Sequence, residues 1–236
     1  AAQQVGAAEA HLIAFPEMVL TGYPVEDLAL RPAFQAASRT ALVTLAQDLH
    51  SDGLGELIAL VGYLDHLETA PQATGPRNAP INAVGVLHRG KVVARYTKHH
   101  LPNYGVFDEA RYFIPGTEPL LLRLNNSTIA IAICEDLWQS GGPVTWAREN
   151  QADLLLVMNA SPYERDKDDA RLKLCQLRAA EAGCDLAYVN LIGGQDELVF
   201  DGDSMVVDRH GNLVARAPQF EPTLLTIDLE LSSSPE

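Results

Sequence analysis

The sequence predicts an α/β fold, and two observations carry that expectation. Short apolar runs recur along the chain: ELIALVGYL at 56–64, STIAIAI at 127–133, DLLLVMNAS at 153–161 and DLAYVNLIG at 185–193. Runs of this length, rich in β-branched residues, read as strands, and the near-continuous one at 153–161 reads as buried on both faces. Between them lie segments with helical spacing. Phe34, Ala37, Ala41, Leu45 and Leu49 share one face over 33–50, and KDDARLKLCQLRAAEA at 167–182 opens with acidic residues where a helix dipole favours them.

Composition narrows the function classes. The 236 residues are 47% hydrophobic and 20% charged, an ordinary globular balance, and their number is enough for one domain with a substantial core. Net charge is -14, which argues against a nucleic-acid surface and against an anionic membrane. No apolar run approaches the ~20 residues of a membrane span. Three cysteines without framework spacing argue against a disulfide scaffold and for a reducing compartment, the cytoplasm. The domain is expected to cover 1–231, with 232–236 as the start of a linker.

In chain order, residues 1–10 read as the end of an Ala-rich helix and HLIAF, 11–15, as a short strand. Pro16, Gly22 and Pro24 then break the chain, which leaves Glu17 at the strand's carboxyl edge, where α/β sheets bind ligands. A loop glutamate is usually solvated. The apolar neighbours Met18–Leu20 make this one a candidate general base. After the helix at 33–50 and the strand at 56–64, residues 65–80 read as a surface loop. INAVGVLHRGKVVARYTK reads as a hairpin turning at Arg89–Gly90, and it delivers Lys98 to a strand end just before a loop rich in aromatics. Most lysines are exposed and inert, but a cation in such surroundings can stabilise an oxyanion. His99 and His100 are adjacent and make no chelate, and no metal motif is present.

The strand at 127–133 ends abruptly in Cys134, followed by Glu135, Asp136, Leu137 and Trp138. Buried cysteines are commonly packing residues, and on this stretch alone that reading leads. The layout of strand, cysteine, polar loop and helix is also the one that presents a nucleophile, with the next backbone N–H aimed at the developing oxyanion. Cys175, inside the helix at 167–182, and Cys184, just past it, read as packing. Ser140-Gly141-Gly142 hints at a pyrophosphate loop, but Pro143-Val144 breaks the pattern. A short helix at 143–149, a turn-rich loop GGQDELVFDGDS, a hairpin turning at His210-Gly211-Asn212 and a last strand LLTIDL, 224–229, complete the chain.

Glu17, Lys98 and Cys134 thus stand at three separate strand ends. FPEMVLTGYP, KHHLPNYGVFDEARYF, ICEDLW and NASPYERDK resemble the motifs of the carbon–nitrogen hydrolase (nitrilase) superfamily, and GGQDELVFDGDS narrows the resemblance to glutaminase domains of glutamine-dependent NAD synthetases. The resemblance implies a four-layer α-β-β-α sandwich whose first strand lies before Ala1. It implies a triad of Glu17, Lys98 and Cys134, and glutamine contacts from Tyr104, Ser161 and Lys167, with Glu135 and Tyr23 lining the same pocket. Where some members have Arg, Lys167 keeps the charge and loses the bidentate fork. The implied reaction takes L-glutamine to glutamate and ammonia through a cysteine thioester and needs no cofactor. ATP, Mg2+ and deamido-NAD would serve a C-terminal synthetase domain beyond this chain, and a homo-oligomer is implied. Two rival readings are a stand-alone amidase or nitrilase, and a non-catalytic assembly module of the same fold.

Overall fold

The computed structural model describes residues 4, 9–67 and 79–231. The helix end expected at 1–10 falls mostly outside them, as do most of the loop at 65–80 and the tail at 232–236. The chain divides into two compact units, residues 1–117 and 118–236.

The first unit holds a four-stranded sheet: β1 (Leu12–Ala14), β2 (Ile58–His66), β3 (Pro80–His88) and β4 (Lys91–Thr97), in that spatial order. β1 runs parallel to β2 at the sheet's edge, and the other pairs are antiparallel. The hairpin turns at Arg89 and Gly90, both at positive φ, as the sequence predicts. Helix α1 (Pro32–Leu49) covers one face. Its Leu42, Ala46 and Leu49 pack on Ala59, Val61 and Tyr63 of β2 and on Ile81, Ala83 and Leu87 of β3. These strand residues are all odd-numbered, so Asn82 and the even-numbered residues of β2 point to the opposite face.

The second unit holds a six-stranded sheet in the order β12 (Leu213–Arg216), β11 (Met205–Val207), β8 (Asp185–Asn190), β7 (Leu154–Asn159), β6 (Ser127–Ile133) and β5 (Leu121–Leu124). Its centre is parallel: β6, β7 and β8. β5, β11 and β12 add antiparallel edges. Helices occupy the crossovers between the parallel strands, as parallel pairing requires. In the first unit a single turn, α2 (Glu109–Tyr112), precedes them. In the second, a single turn α3 (Glu135–Trp138) is followed by α4 (Gly142–Glu149) and α5 (Lys167–Ala182). Leu137, Val144, Ala147, Cys175 and Ala179 from these helices close a core over Ala132, Val157, Leu186 and Met205.

Three expectations change. GGQDELVFDGDS is no mere loop: it contains an antiparallel hairpin, β9 (Ile192–Gln195) and β10 (Leu198–Asp201), reversing at Asp196 with φ 51°. The run 224–229 forms no strand. It keeps its alternation of half-buried and exposed residues but has no ladder partner among the described residues. β5 was not anticipated, because PLLLRL lacks the β-branched residues that mark strands.

Candidate active site

In the first unit, the loop after β1 carries Glu17 back over the sheet. Its course is held by Phe15 N–H donating to Leu60 O at 2.9 Å and Leu20 N–H donating to Gly62 O at 3.3 Å. Gly62 makes that passage possible. A Cβ there would run into the carbonyl of Pro16 and the backbone of Glu17 and Met18. Lys98 leaves β4 with both backbone groups engaged: its N–H donates to Asn82 O at 2.9 Å and its carbonyl accepts from Gly116 N–H at 2.8 Å.

The side chains converge. Lys98 Nζ donates to Glu17 Oε1 at 2.7 Å and to Glu109 Oε1 at 2.8 Å, and all three groups are at most 3% exposed. Asn82 Nδ2 donates to Glu17 Oε1 at 2.7 Å, and the Tyr23 hydroxyl donates to Glu109 Oε1 at 2.8 Å. Burial pushes the Glu109 carboxyl up to about 7, helped by the Glu17 charge and opposed by the ammonium of Lys98. Glu109 Oε2 is buried without a hydrogen-bond partner among the described residues. A cavity of about 290 Å3 adjoins it, lined by Tyr23, Val25, Val106, Glu109 and Tyr112.

Sequence reasoning named Glu17, Lys98 and Tyr23 but missed Asn82 and Glu109. Glu109 lies in the quoted motif KHHLPNYGVFDEARYF, beside Asp108, and the apolar residues around that acidic pair were the available signal. Tyr104 is 55% exposed, with its ring edge on Phe107 at 5.6 Å.

In the second unit the parallel strands bring their carboxyl ends into one row. Ile133 is opposite Met158, and Asn159 is opposite Asn190. Cys134 comes next after Ile133, its N–H donating to Met158 O at 3.0 Å. Its backbone sits at φ 44°, ψ -94°, a conformation that costs about 1–3 kcal/mol in a non-glycine residue. The chain then turns at once into α3, where Leu137 N–H closes on Cys134 O at 2.9 Å, so the helical turn begins without the intervening loop that the sequence suggested. Asp136 is buried and accepts the Ile133 N–H at 2.9 Å. Arg178 of α5 donates to the carbonyls of Leu137 at 2.7 Å and Trp138 at 2.9 Å, the far end of the same turn.

The three cysteines differ. Cys175 and Cys184 lie inside the hydrophobic cluster under the helices, and burial pushes both thiols up to about 12. Cys134, although 5% exposed, is no member of that cluster. Glu135 is buried, with Gln139 Nε2 donating to its Oε1 at 3.0 Å. Ser161 follows β7, buried, and its N–H donates to Asn190 Oδ1 at 3.0 Å. Lys167 opens α5, with its Nζ 2.8 Å from Glu164 Oε1. Ser140–Gly142 form the turn into α4, with Gly141 at φ 85°.

These features define a class: α/β proteins of mixed sheets and helices that hold a buried ammonium between two carboxylates and a cysteine at a sharp strand-to-helix turn. The chain belongs to the carbon–nitrogen hydrolase family, whose model matches residues 1–235. It is 42% identical over 226 residues to the glutamine-dependent NAD(+) synthetase of Aquifex aeolicus, covering 96% of this chain and 38% of that protein. Identity to the Thermotoga maritima synthetase is 39%, over 94% of this chain and 37% of the relative. The chain therefore spans well under half the length of these relatives. Among solved structures, the glutamine-dependent NAD+ synthetase of Acinetobacter baumannii superposes with a TM-score of 0.84 at 34% identity, covering 94% of this chain and 39% of that one. An amidase of Nesterenkonia sp. AN1, with acrylamide added at its active-site cysteine, superposes with a TM-score of 0.76 at 26% identity, covering 97% of this chain and 83% of that one. The α/β class read from the sequence is thereby borne out. No helix among the described residues is long and apolar enough to cross a membrane.

Proposed function

We propose that this chain is a glutamine-hydrolysing unit that supplies ammonia for amidation of deamido-NAD. The observation that carries the reading is the lysine buried between two carboxylates, in a chain 42% identical to a glutamine-dependent NAD(+) synthetase across 96% of its length. Cys134 is the nucleophile. Its strained strand-end position supports that role, as does the cysteine adduct of the similar amidase.

Glu17 accepts the Cys134 thiol proton, and the thiolate attacks the side-chain carboxamide carbon of glutamine. Lys98 and the backbone N–H of Glu135 stabilise the oxyanion, each donor contributing up to ~3 kcal/mol. The tetrahedral species collapses, the proton on Glu17 goes to the leaving nitrogen, and ammonia departs from a γ-glutamyl thioester. Glu17 then takes a proton from water, whose oxygen attacks the thioester carbon. Glutamate leaves and the thiol is restored. Glu109, buried and accepting from the same ammonium, holds Lys98 in place. Ser161, Lys167 and Tyr104 bind the glutamine, with Glu135 and Tyr23 at the pocket's edge. The hydrolysis uses no cofactor; ATP, Mg2+ and deamido-NAD belong to the synthetase part of a longer protein. That protein is cytoplasmic and homo-oligomeric in this reading.

Cys134→Ala tests it. Glutamate release and trapping of a mass adduct on the protein should both vanish, and an active alanine variant would end the mechanism. A second reading, an amidase acting on another amide, draws on the likeness to the Nesterenkonia enzyme. A panel of glutamine, short ω-amides and nitriles separates the two: preference for glutamine supports the first, and preference for a simple amide supports the second.

A further inference from the structure

Ser161, the proposed glutamine contact, does not hold its own position. Its N–H is taken by Asn190 Oδ1, and its carbonyl accepts from Arg171 Nη2 at 2.8 Å. The same nitrogen of Arg171 donates to Pro162 O at 3.0 Å. Nη1 of Arg171 donates to the two carboxylate oxygens of Asp201, the last residue of β10, at 2.8 and 2.7 Å. Arg171 is wholly buried and Asp201 1% exposed. Asp201 also accepts from Gln219 Nε2 at 3.1 Å, and Asn190 Nδ2 donates to Gly202 O at 2.8 Å. One buried ion pair thus ties the loop after β7 to the end of the β9–β10 hairpin.

Such a pair is a poor device for stability. Removing two full charges from water costs about as much as their attraction returns, and an apolar pair of similar volume commonly serves as well. Geometry is what it supplies. A planar guanidinium fixed by a carboxylate presents its remaining N–H groups in set directions, here at two consecutive backbone carbonyls.

We propose that Arg171 and Asp201 are positioning residues for glutamine binding: together they clamp the Ser161–Pro162 backbone, so that the hairpin read in the sequence as GGQDELVFDGDS sets where the glutamine contacts lie. This deepens the proposed function and rests on it. Neither residue takes part in the bond-making at Cys134, so the clamp should act on KM and leave the reaction of the sulfur alone.

The test uses Arg171→Lys, Asp201→Asn and the paired Arg171→Met/Asp201→Leu in the full-length protein. Three quantities are read: glutamine kinetics, the rate at which iodoacetamide modifies Cys134, and amide hydrogen exchange by peptide. Each variant should raise KM for glutamine about 10-fold or more with kcat within about 3-fold, the pattern of lost substrate positioning. Exchange should rise over residues 161–167 and stay unchanged over 134–138, and Cys134 should alkylate at the wild-type rate. The apolar pair, if it melts cooperatively and still shows the raised KM, separates positioning from mere stability. Wild-type KM in that pair, or unchanged exchange over 161–167 in Asp201→Asn, would overturn the clamp. If the wild-type protein itself fails to hydrolyse glutamine, the functional reading falls, and the exchange data alone decide whether the clamp exists.

Discussion

The two units prepare their chemistry in opposite ways. The first stores it as charge: Lys98 is shared by Glu17 and Glu109, and these three residues come from segments separated by 81 and 11 positions in sequence. The second stores it as backbone geometry: Cys134 and Ser161 follow the carboxyl ends of neighbouring parallel strands and Asn190 ends a third, with Cys134 held at positive φ. A charge cluster depends on the ion its members share, because a buried charge is tolerable only beside its partner. A cysteine at a strand end depends on the sheet beneath it, which tolerates many substitutions provided that the register survives. The first unit should therefore be the more brittle to single changes of charge, and the second the more brittle to changes of backbone.

Lys98→Met should have the largest effect. It leaves two carboxylates sharing a buried site without their cation, since both Oε1 atoms are held by that one ammonium. Glutaminase kcat should fall by roughly 10^3 or more, with a stability loss of about 3–5 kcal/mol. Denaturant melts and glutamate assays check both, and a variant with near-normal rate would remove Lys98 from the mechanism.

The contrast among cysteines comes next. At pH 7.5 a thiol titrating at about 12 is thiolate to roughly one part in 10^4–10^5, so Cys175 and Cys184 should barely react. Cys134 should take iodoacetamide at least about 100-fold faster. Peptide mapping reads the ratio, and equal labelling of the three would favour the assembly-module reading over an enzyme.

Gly62→Ala sharpens the comparison from the other side, because it strikes the charged cluster through its backbone. The added methyl meets the carbonyl of Pro16 and the backbone of Glu17 and Met18, none of which can rotate away. The loop must lift, and Glu17 moves with it. An expected loss of about 10-fold in kcat with about 1–3 kcal/mol of stability separates this from a neutral surface change. Unaltered kinetics would mean that Glu17 is not held by this passage.

Much of this was legible in the sequence, and the reasons for the gaps are physical. The Cys134 strand, the Arg89–Gly90 hairpin and the helix at 167–182 were readable because local pattern and tertiary role agree there. Glu109 and Asn82 were not. The apolar neighbours of Glu109 hint at burial, but they do not say which of the chain's 31 acidic residues ends up beside an ammonium; only the packing of distant segments does so. The β9–β10 hairpin hid behind Gly193, Gly194 and Asp196, whose composition suits a loop as well as a tight reversal of two short strands. LLTIDL failed in the opposite sense. Its period of two is satisfied by alternately half-buried and exposed side chains without a ladder, and pattern alone does not supply a ladder partner.

Glu109→Gln gives the smallest and most specific effect. The amide keeps an oxygen for the Lys98 ammonium and the Tyr23 hydroxyl, so the site should hold its shape. What changes is titration. In the unfolded chain the Glu109 carboxyl ionises near 4.5, and in the folded protein at about 7. Over that window the folded state binds more protons than the unfolded one, so this group's contribution to stability falls as pH rises from about 4.5 and is fully lost above about 7. The glutamine variant has no such slope. Its stability relative to wild type should therefore climb between pH 5 and pH 8, by something on the order of 2 kcal/mol. Parallel denaturant titrations at several pH values read the difference directly. A constant difference across that range would show that Glu109 stays ionised throughout.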